Sequence, residues 1–155
     1  MKVSEVMTEA TVTDSAGDTL AEAAKKMWEQ QTGSLLVNEE DGGLAGIITE
    51  RDILRAVATG VALGEATVAD IMTKDVTTVG PETSLRDAAR LMAERWIRHL
   101  PIVDGGKVVG IISQRDLAGV LAGALNEPET LAQVVAASEL VRERRLHRID
   151  HWHWD

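Results

Sequence analysis

The 155-residue sequence predicts an α/β (α+β) fold in which two β-α-β-β-α repeats pack as a pseudo-two-fold pair, followed by a C-terminal helix. Three observations carry this expectation. The stretch VSEVMT at 3–8 returns as VADIMT at 68–73, and at the same offset Leu20, Ala23, Ala24 and Met27 fall on Leu85, Ala88, Ala89 and Met92. The heptapeptide GIITERD that starts at Gly46 returns as GIISQRD starting at Gly110, one residue early because the second hairpin turn is shorter. Apolar residues make up 45% of the chain, yet the only aromatics are four Trp, so the core is expected to be aliphatic. Two copies are too few for an open solenoid, which needs about three or more. A closed pair is the expected arrangement.

Within each copy the elements follow in order. TVT at 11–13 and VTTV at 76–79 are short β-rich runs. Helix starts follow at Thr19 and Ser84, each a hydroxyl residue with an acid three positions on (Glu22, Asp87), the pattern of a capping box. The next dozen residues place the matched Leu, Ala and Met positions on one helical face. Two apolar strands come next, SLLVN (34–38) and LAGIIT (44–49) across EEDGG, then HLPIV (99–103) and VVGIIS (108–113) across DGGK. Such Gly-rich turns suit hairpins. A second helix follows each heptapeptide, over about 50–59 and 114–125, with Gly60 placed to end the first.

Domain limits follow as 1–62, 63–127 and 128–155, with GVALGEAT at 60–67 as a short connector. The last stretch has no partner in the repeat. It reads as an amphipathic helix carrying Leu131, Val134, Val135 and Val141, with a polar, aromatic tip.

Composition excludes several classes. Without cysteine there are no disulfides, thiolate metal sites or Cys nucleophiles. No apolar run approaches a membrane span, and the N-terminal MKVSEVMTEA is not a secretory signal, so a cytoplasmic protein that does not engage membrane is expected. The net charge of −9 is uneven: residues 1–67 hold five basic and twelve acidic side chains, residues 68–127 seven and eight. An acidic chain without a basic stripe is a poor partner for nucleic acid. An anion, if bound, would find more positive groups in the second repeat.

The heptapeptide carries the chemistry of interest. Thr49 with Asp52, and Ser113 with Asp116, have the form of capping boxes worth about 0.5–2 kcal/mol each, which need no ligand to explain them. The same geometry leaves N–H groups and the positive end of a helix dipole at the strand end, which suits a phosphate. An Asp one turn in can accept from ribose hydroxyls, and Arg51 and Arg115 lie between. Trp28 and Trp96, on or at the end of the first helices, are expected to pack or to form a dimer surface. His147, His151 and His153 could ligate a metal, with His147 and His151 on one helical face. Chain ends fray, however, and no second shell is visible, so no metal is assigned. No catalytic constellation and no glycine-rich nucleotide fingerprint appears; the expectation is a non-enzyme that requires no cofactor.

The doubled VMT lead-in, the capped helices, RHLPIVD-GGK-VVGIISQRDL and its companion GSLLVN…LAGIITERDIL resemble the cystathionine-β-synthase (CBS) domain family, over about 3–125 and in the stand-alone tandem form. The resemblance implies repeats packed through their sheets with two clefts between them, adenosine-containing ligands (AMP, ADP, ATP, sometimes S-adenosylmethionine) in those clefts, and a disc-shaped homodimer. Carried over residue by residue, it implies that Ser113 and Asp116 hold phosphate and ribose, with Arg98 and His99 facing the phosphates and Arg115 adding charge. Thr32, Gly33 and Ser34 would line the adenine side. In the other cleft it implies Thr49 and Asp52 for phosphate and ribose, with 97–99, from Ile97 to His99, bordering the base. The positions equivalent to Arg98 and His99 are there the uncharged Gly33 and Ser34, so the cleft at Ser113 is expected to be the stronger.

The function expected is a regulatory, energy-sensing module that takes an adenine nucleotide as regulatory ligand and signals by a change of shape to an unidentified regulated protein. Two rivals stand beside it. One is an interaction module with vestigial clefts; the other is a metal-responsive protein using the C-terminal histidines.

Overall fold

The computed structural model describes residues 1–9 and 13–124. Met1–Asp116 form one compact unit; a second begins at Leu117, of which 117–124 are described and helical. The chain opens with a 3-10 turn at Val3–Glu5, then β1 (Thr8–Glu9), β2 (Thr13–Asp14), α1 (Leu20–Glu29), β3 (Ser34–Asn38), β4 (Leu44–Thr49) and α2 (Glu50–Ala58). The second copy runs α3 (Val68–Ile71), α4 (Leu85–Arg95), β5 (His99–Asp104), β6 (Lys107–Ser113) and α5 (Gln114–Ala124). The expected architecture of mixed α/β repeats is present.

Local chemistry sets the boundaries. Thr19 accepts from the Glu22 N–H while Glu22 accepts from the Thr19 N–H at 2.8 Å, closing the box that starts α1. Ser84 does the corresponding work for α4, accepting from the Asp87 N–H at 3.1 Å. Past α2, Gly60 takes φ +75°, a left-handed conformation that glycine adopts without a Cβ clash. The two hairpins keep matching registers, with Leu36 opposite Ile47 and Pro101 opposite Ile111.

Two features depart from the sequence expectation. VTTV at 76–79 forms no strand: Val79 alone bridges to Ile102, donating to Pro101 O and accepting from the Val103 N–H. Gly80-Pro81 follows at once, and a proline nitrogen has no proton to continue a ladder. Of TVT, Thr13 lies in β2, while Thr11 and Val12 are outside the described residues. The amphipathic pattern at Leu131, Val134, Val135 and Val141 also lies outside them, as do His147, His151 and His153.

The sheets contain an exchange that periodicity did not announce. Their orders are β1-β6-β5 and β2-β3-β4, so the lead-in of the first copy joins the hairpin of the second. Thr8 lies opposite Ile111 and Glu9 opposite Gly110. The reciprocal contact is the Ile47–Thr73 bridge, where the second lead-in meets the first hairpin with N···O distances of 3.0 and 2.9 Å. This crossing is tight at Gly46 and Gly110, where a Cβ would lie 2.6 Å from a Met sulfur (Met72 or Met7) and 2.9 Å from a backbone carbonyl oxygen (Thr73 or Thr8), so that something must shift to admit one.

The core is aliphatic, as composition implied. Leu20, Ala23, Met27, Leu35, Val37, Ile48, Ala56 and Val68 form one buried cluster. Ala88, Met92, Leu100, Ile102 and Ile112 are their buried counterparts in the second copy. One polar residue interrupts the symmetry. Where the second copy has Val79, the first has Asp14, whose buried side chain meets Lys26 Nζ at 2.7 Å through Oδ1 while Oδ2 has no partner among the described residues. Burial pushes that carboxyl up despite Lys26.

Candidate functional site

Each heptapeptide ends a strand and starts a helix, and the capping chemistry expected there is formed. The Thr49 N–H and hydroxyl both donate to Asp52 Oδ2 at 2.9 Å. The Ser113 N–H and hydroxyl both donate to Asp116 Oδ2 at 2.7 Å, and the Asp116 N–H returns to Ser113 Oγ at 3.4 Å. The first N–H of each helix is occupied as well: Glu50 donates to Gly33 O at 3.0 Å and Gln114 to Arg98 O at 2.9 Å. Fewer helix-end donors are therefore open than the sequence implied.

The two aspartates differ in what is left over. Asp52 is buried, and its Oδ1 accepts from Arg55 Nη2 at 3.1 Å. Asp116 is partly buried, and its Oδ1 has no partner among the described residues. The cause is one substitution between the copies: the position matching Arg55 is Gly119, which has no side chain to offer.

Two clefts of unequal size lie on the compact unit. The larger, about 680 Å³, takes Ser113, Arg115 and Asp116 from the end of β6 and the start of α5. Thr32, Gly33 and Ser34 enter from the turn before β3, and Arg98 and His99 from the segment leading into β5. The smaller, about 180 Å³, contains Thr49, Arg51 and Asp52 with Ile97, and shares Arg98 and His99. Gly33 and Ser34 line only the larger of the two. The larger has the volume of a small-molecule site; such sites run about 300–1,000 Å³.

Charge in the larger cleft is more balanced than composition suggested. Arg98 Nη2 donates to Glu50 Oε1 at 2.8 Å, so the guanidinium expected to face phosphate is already held by a carboxylate from the other repeat. Both side chains are well exposed, and such pairs contribute only about 0–1 kcal/mol. Glu50 was missed because it is a repeat-specific residue, matched by Gln114, and the contact spans 48 positions. Thr8 and Ile111 were missed because only the strand exchange brings β1 here.

Neither tryptophan is buried in the core of its repeat. Trp28 is 77% exposed at the mouth of the larger cleft, and Trp96, at φ +56° beyond α4, borders the smaller. Their repeat counterparts are Ala93 and Gln31, so each cleft receives one indole by a different route.

Burial first, then the neighbouring Arg98, holds the His99 imidazole below its ordinary range, with Glu50 and Asp116 pulling the other way. A depressed folded-state value means that the unfolded chain binds the proton more readily. The His99 contribution to stability is therefore complete above about pH 6.5 and is lost as pH falls. His99→Gln is expected to lose less melting temperature than the wild type between pH 7.5 and 5.5; equal losses would show that His99 is not the group responsible.

Among the described residues no cluster of three or more His, Asp or Glu could hold a metal, and no helix is long and apolar enough to cross a membrane. The family model for the CBS domain matches residues 3–59 and 68–123. A CBS domain-containing protein of Bacillus subtilis, YhcV, is 41% identical over 117 residues, 75% of this chain and 82% of that protein. A 17.7 kDa protein of Acidianus ambivalens is 42% identical over 121 residues, 77% of this chain and 73% of its own. Among solved structures, the CBS domain pair of protein MJ0100, in complex with 5′-methylthioadenosine and S-adenosyl-L-methionine, superposes with a TM-score of 0.75 at 29% identity, covering 80% of this chain and 98% of that one.

Proposed function

This chain belongs to the CBS domain family, as a tandem pair, and we propose that it is a regulatory module binding an adenosine-containing ligand in its larger cleft. AMP, ADP, ATP and S-adenosylmethionine are the candidates, and occupancy is reported to a regulated protein as a change of shape. The observation that carries the reading is the open Oδ1 of Asp116 in a cleft of about 680 Å³. One carboxylate oxygen completes the helix cap while the other is available to a ribose diol. Ser113 and Arg115 stand where a phosphate or other ribose substituent would extend, and Thr32, Gly33 and Ser34 offer the base backbone groups. In the smaller cleft Thr49, Asp52 and Ile97 have the matching roles, with Asp52 restrained by Arg55.

The role is regulatory rather than catalytic, in keeping with a family match that spans both repeats. A coupling of about 1–3 kcal/mol between ligand and regulated partner suffices for a switch. Pairing of two copies is part of the proposal: Leu54 and Val57 on α2 are 67% and 57% exposed, an apolar pair that a second copy would cover.

Calorimetric titration with adenosine, AMP, ATP and S-adenosylmethionine tests the ligand assignment. Saturable binding of at least one, at about one per chain, is the expected result; the absence of heat with all four would overturn it. Sedimentation analysis of Leu54→Glu would test the pairing, which fails if wild type and variant are both monomers.

A further inference from the structure

Three groups of residues besides the capping pairs could do more than fold the chain: the Asp14–Lys26 pair, the two exposed tryptophans, and the Glu50–Arg98 pair. The first is a buried carboxylate on a helix lysine that lines neither cleft, and the second borders the clefts with uncharged rings that do not distinguish one adenosyl ligand from another. The third lines the larger cleft and joins the two repeats.

Arg98 leads into β5 of the second repeat and Glu50 is the first residue of α2 in the first repeat, so their 2.8 Å contact joins the two repeats at the cleft lining. The second carboxylate oxygen of Glu50 lies 3.3 Å, and His99 Nε2 3.4 Å, from where a Cβ on Gly33 would be. Glu50 and His99 therefore approach each other over Gly33, where a larger side chain would crowd both. The charged side chains of the cleft are then Glu50 and Asp116 against Arg98 and Arg115, a balanced set. A polyphosphate brings several negative charges, and the bonds that hold such groups most strongly are charge-assisted ones from Arg or Lys not already engaged by a carboxylate. While Glu50 holds Arg98, only Arg115 is left for a phosphate, beside the negative charges of Glu50 and Asp116.

We propose that Glu50 is a specificity residue: by occupying Arg98 it turns the larger cleft toward adenosyl ligands with little or no negative charge, such as a nucleoside, a thioether or a sulfonium, and away from polyphosphates. The inference rests on the ligand reading above. It also assigns a role to the difference between Glu50 and its counterpart Gln114, which has the same length and no charge.

The experiment compares adenosine, S-adenosylmethionine and ATP on wild type, Glu50→Gln and Arg98→Gln by calorimetry, with melting curves to verify folding. Wild type is expected to bind adenosine and S-adenosylmethionine more tightly than ATP. Glu50→Gln should raise the ATP-to-adenosine affinity ratio about tenfold, because one repulsive charge is removed and one guanidinium is released. Arg98→Gln should lower the same ratio, because Glu50 is left without its partner. Adenosine binding with an unchanged ratio in both variants, or a wild type that prefers ATP, overturns this proposal alone. No binding of any ligand to any form overturns the ligand reading itself.

Discussion

Gly110→Ala and Gly46→Ala are each expected to destabilise the protein by about 2–3 kcal/mol, the upper part of the range for overpacking a tight interior. For a domain of this size that is roughly 4–12 °C in melting temperature. An added Cβ would lie 2.6 Å from the sulfur of Met7 or Met72, which can swing aside, and 2.9 Å from the carbonyl oxygen of Thr8 or Thr73, which cannot move without the strand. Met7→Ala in the Gly110→Ala background should therefore recover part of the loss and no more. Gly64→Ala is the control, since no atom lies within 4 Å of its would-be Cβ, and it should stay within about 0.5 kcal/mol of wild type.

The functional consequence is specific to the cleft. Thr8 and Ile111, on either side of the Gly110 crossing, line the larger cleft; Ile47 and Thr73, at the Gly46 crossing, line the smaller. Each substitution should disturb ligand binding at its own cleft. Wild-type melting in Gly110→Ala, followed by thermal scans in several buffers, would mean that β1 does not cross β6 as closely as described.

These glycines show where sequence reading reached and where it stopped. Their recurrence in GIITERD and GIISQRD is plain, but the reason lies 26 and 103 residues away, in Met72 and Met7 of the opposite repeat. Local chemistry was legible. Thr19, Ser84, Thr49 and Ser113 all begin helices, and the hairpin strands follow the apolar runs, because caps and alternation act within a few residues. The exchange of β1 into the second hairpin was not legible, since a two-residue strand has no periodicity to detect. The Glu50–Arg98 pair was hidden for a related reason. Alignment of the copies draws attention to what they share, and the pair depends on a residue they do not share.

The same difference between copies decides the second large effect. Asp116→Ala is expected to weaken adenosine binding about 100-fold, the loss of two hydrogen bonds to a charged acceptor at roughly 1.5 kcal/mol each. It also removes the cap on α5, so affinity and stability must be measured separately. Ser113→Ala supplies the separation: it loses the hydroxyl half of the box, at about 1 kcal/mol of stability, and keeps the carboxylate, so adenosine affinity should change by less than about threefold. Asp52→Ala is the sharper comparison. Its cap is chemically the same, but its second oxygen is already held by Arg55, so the larger cleft should bind adenosine as wild type does. If all three variants melt lower and bind adenosine equally well, both turns are caps and nothing else, and the clefts are vestigial. If Asp116→Ala alone loses the ligand, the open Oδ1 is the binding group, left free of the cap where position 119 is a glycine and its counterpart, Arg55, is an arginine that holds Asp52.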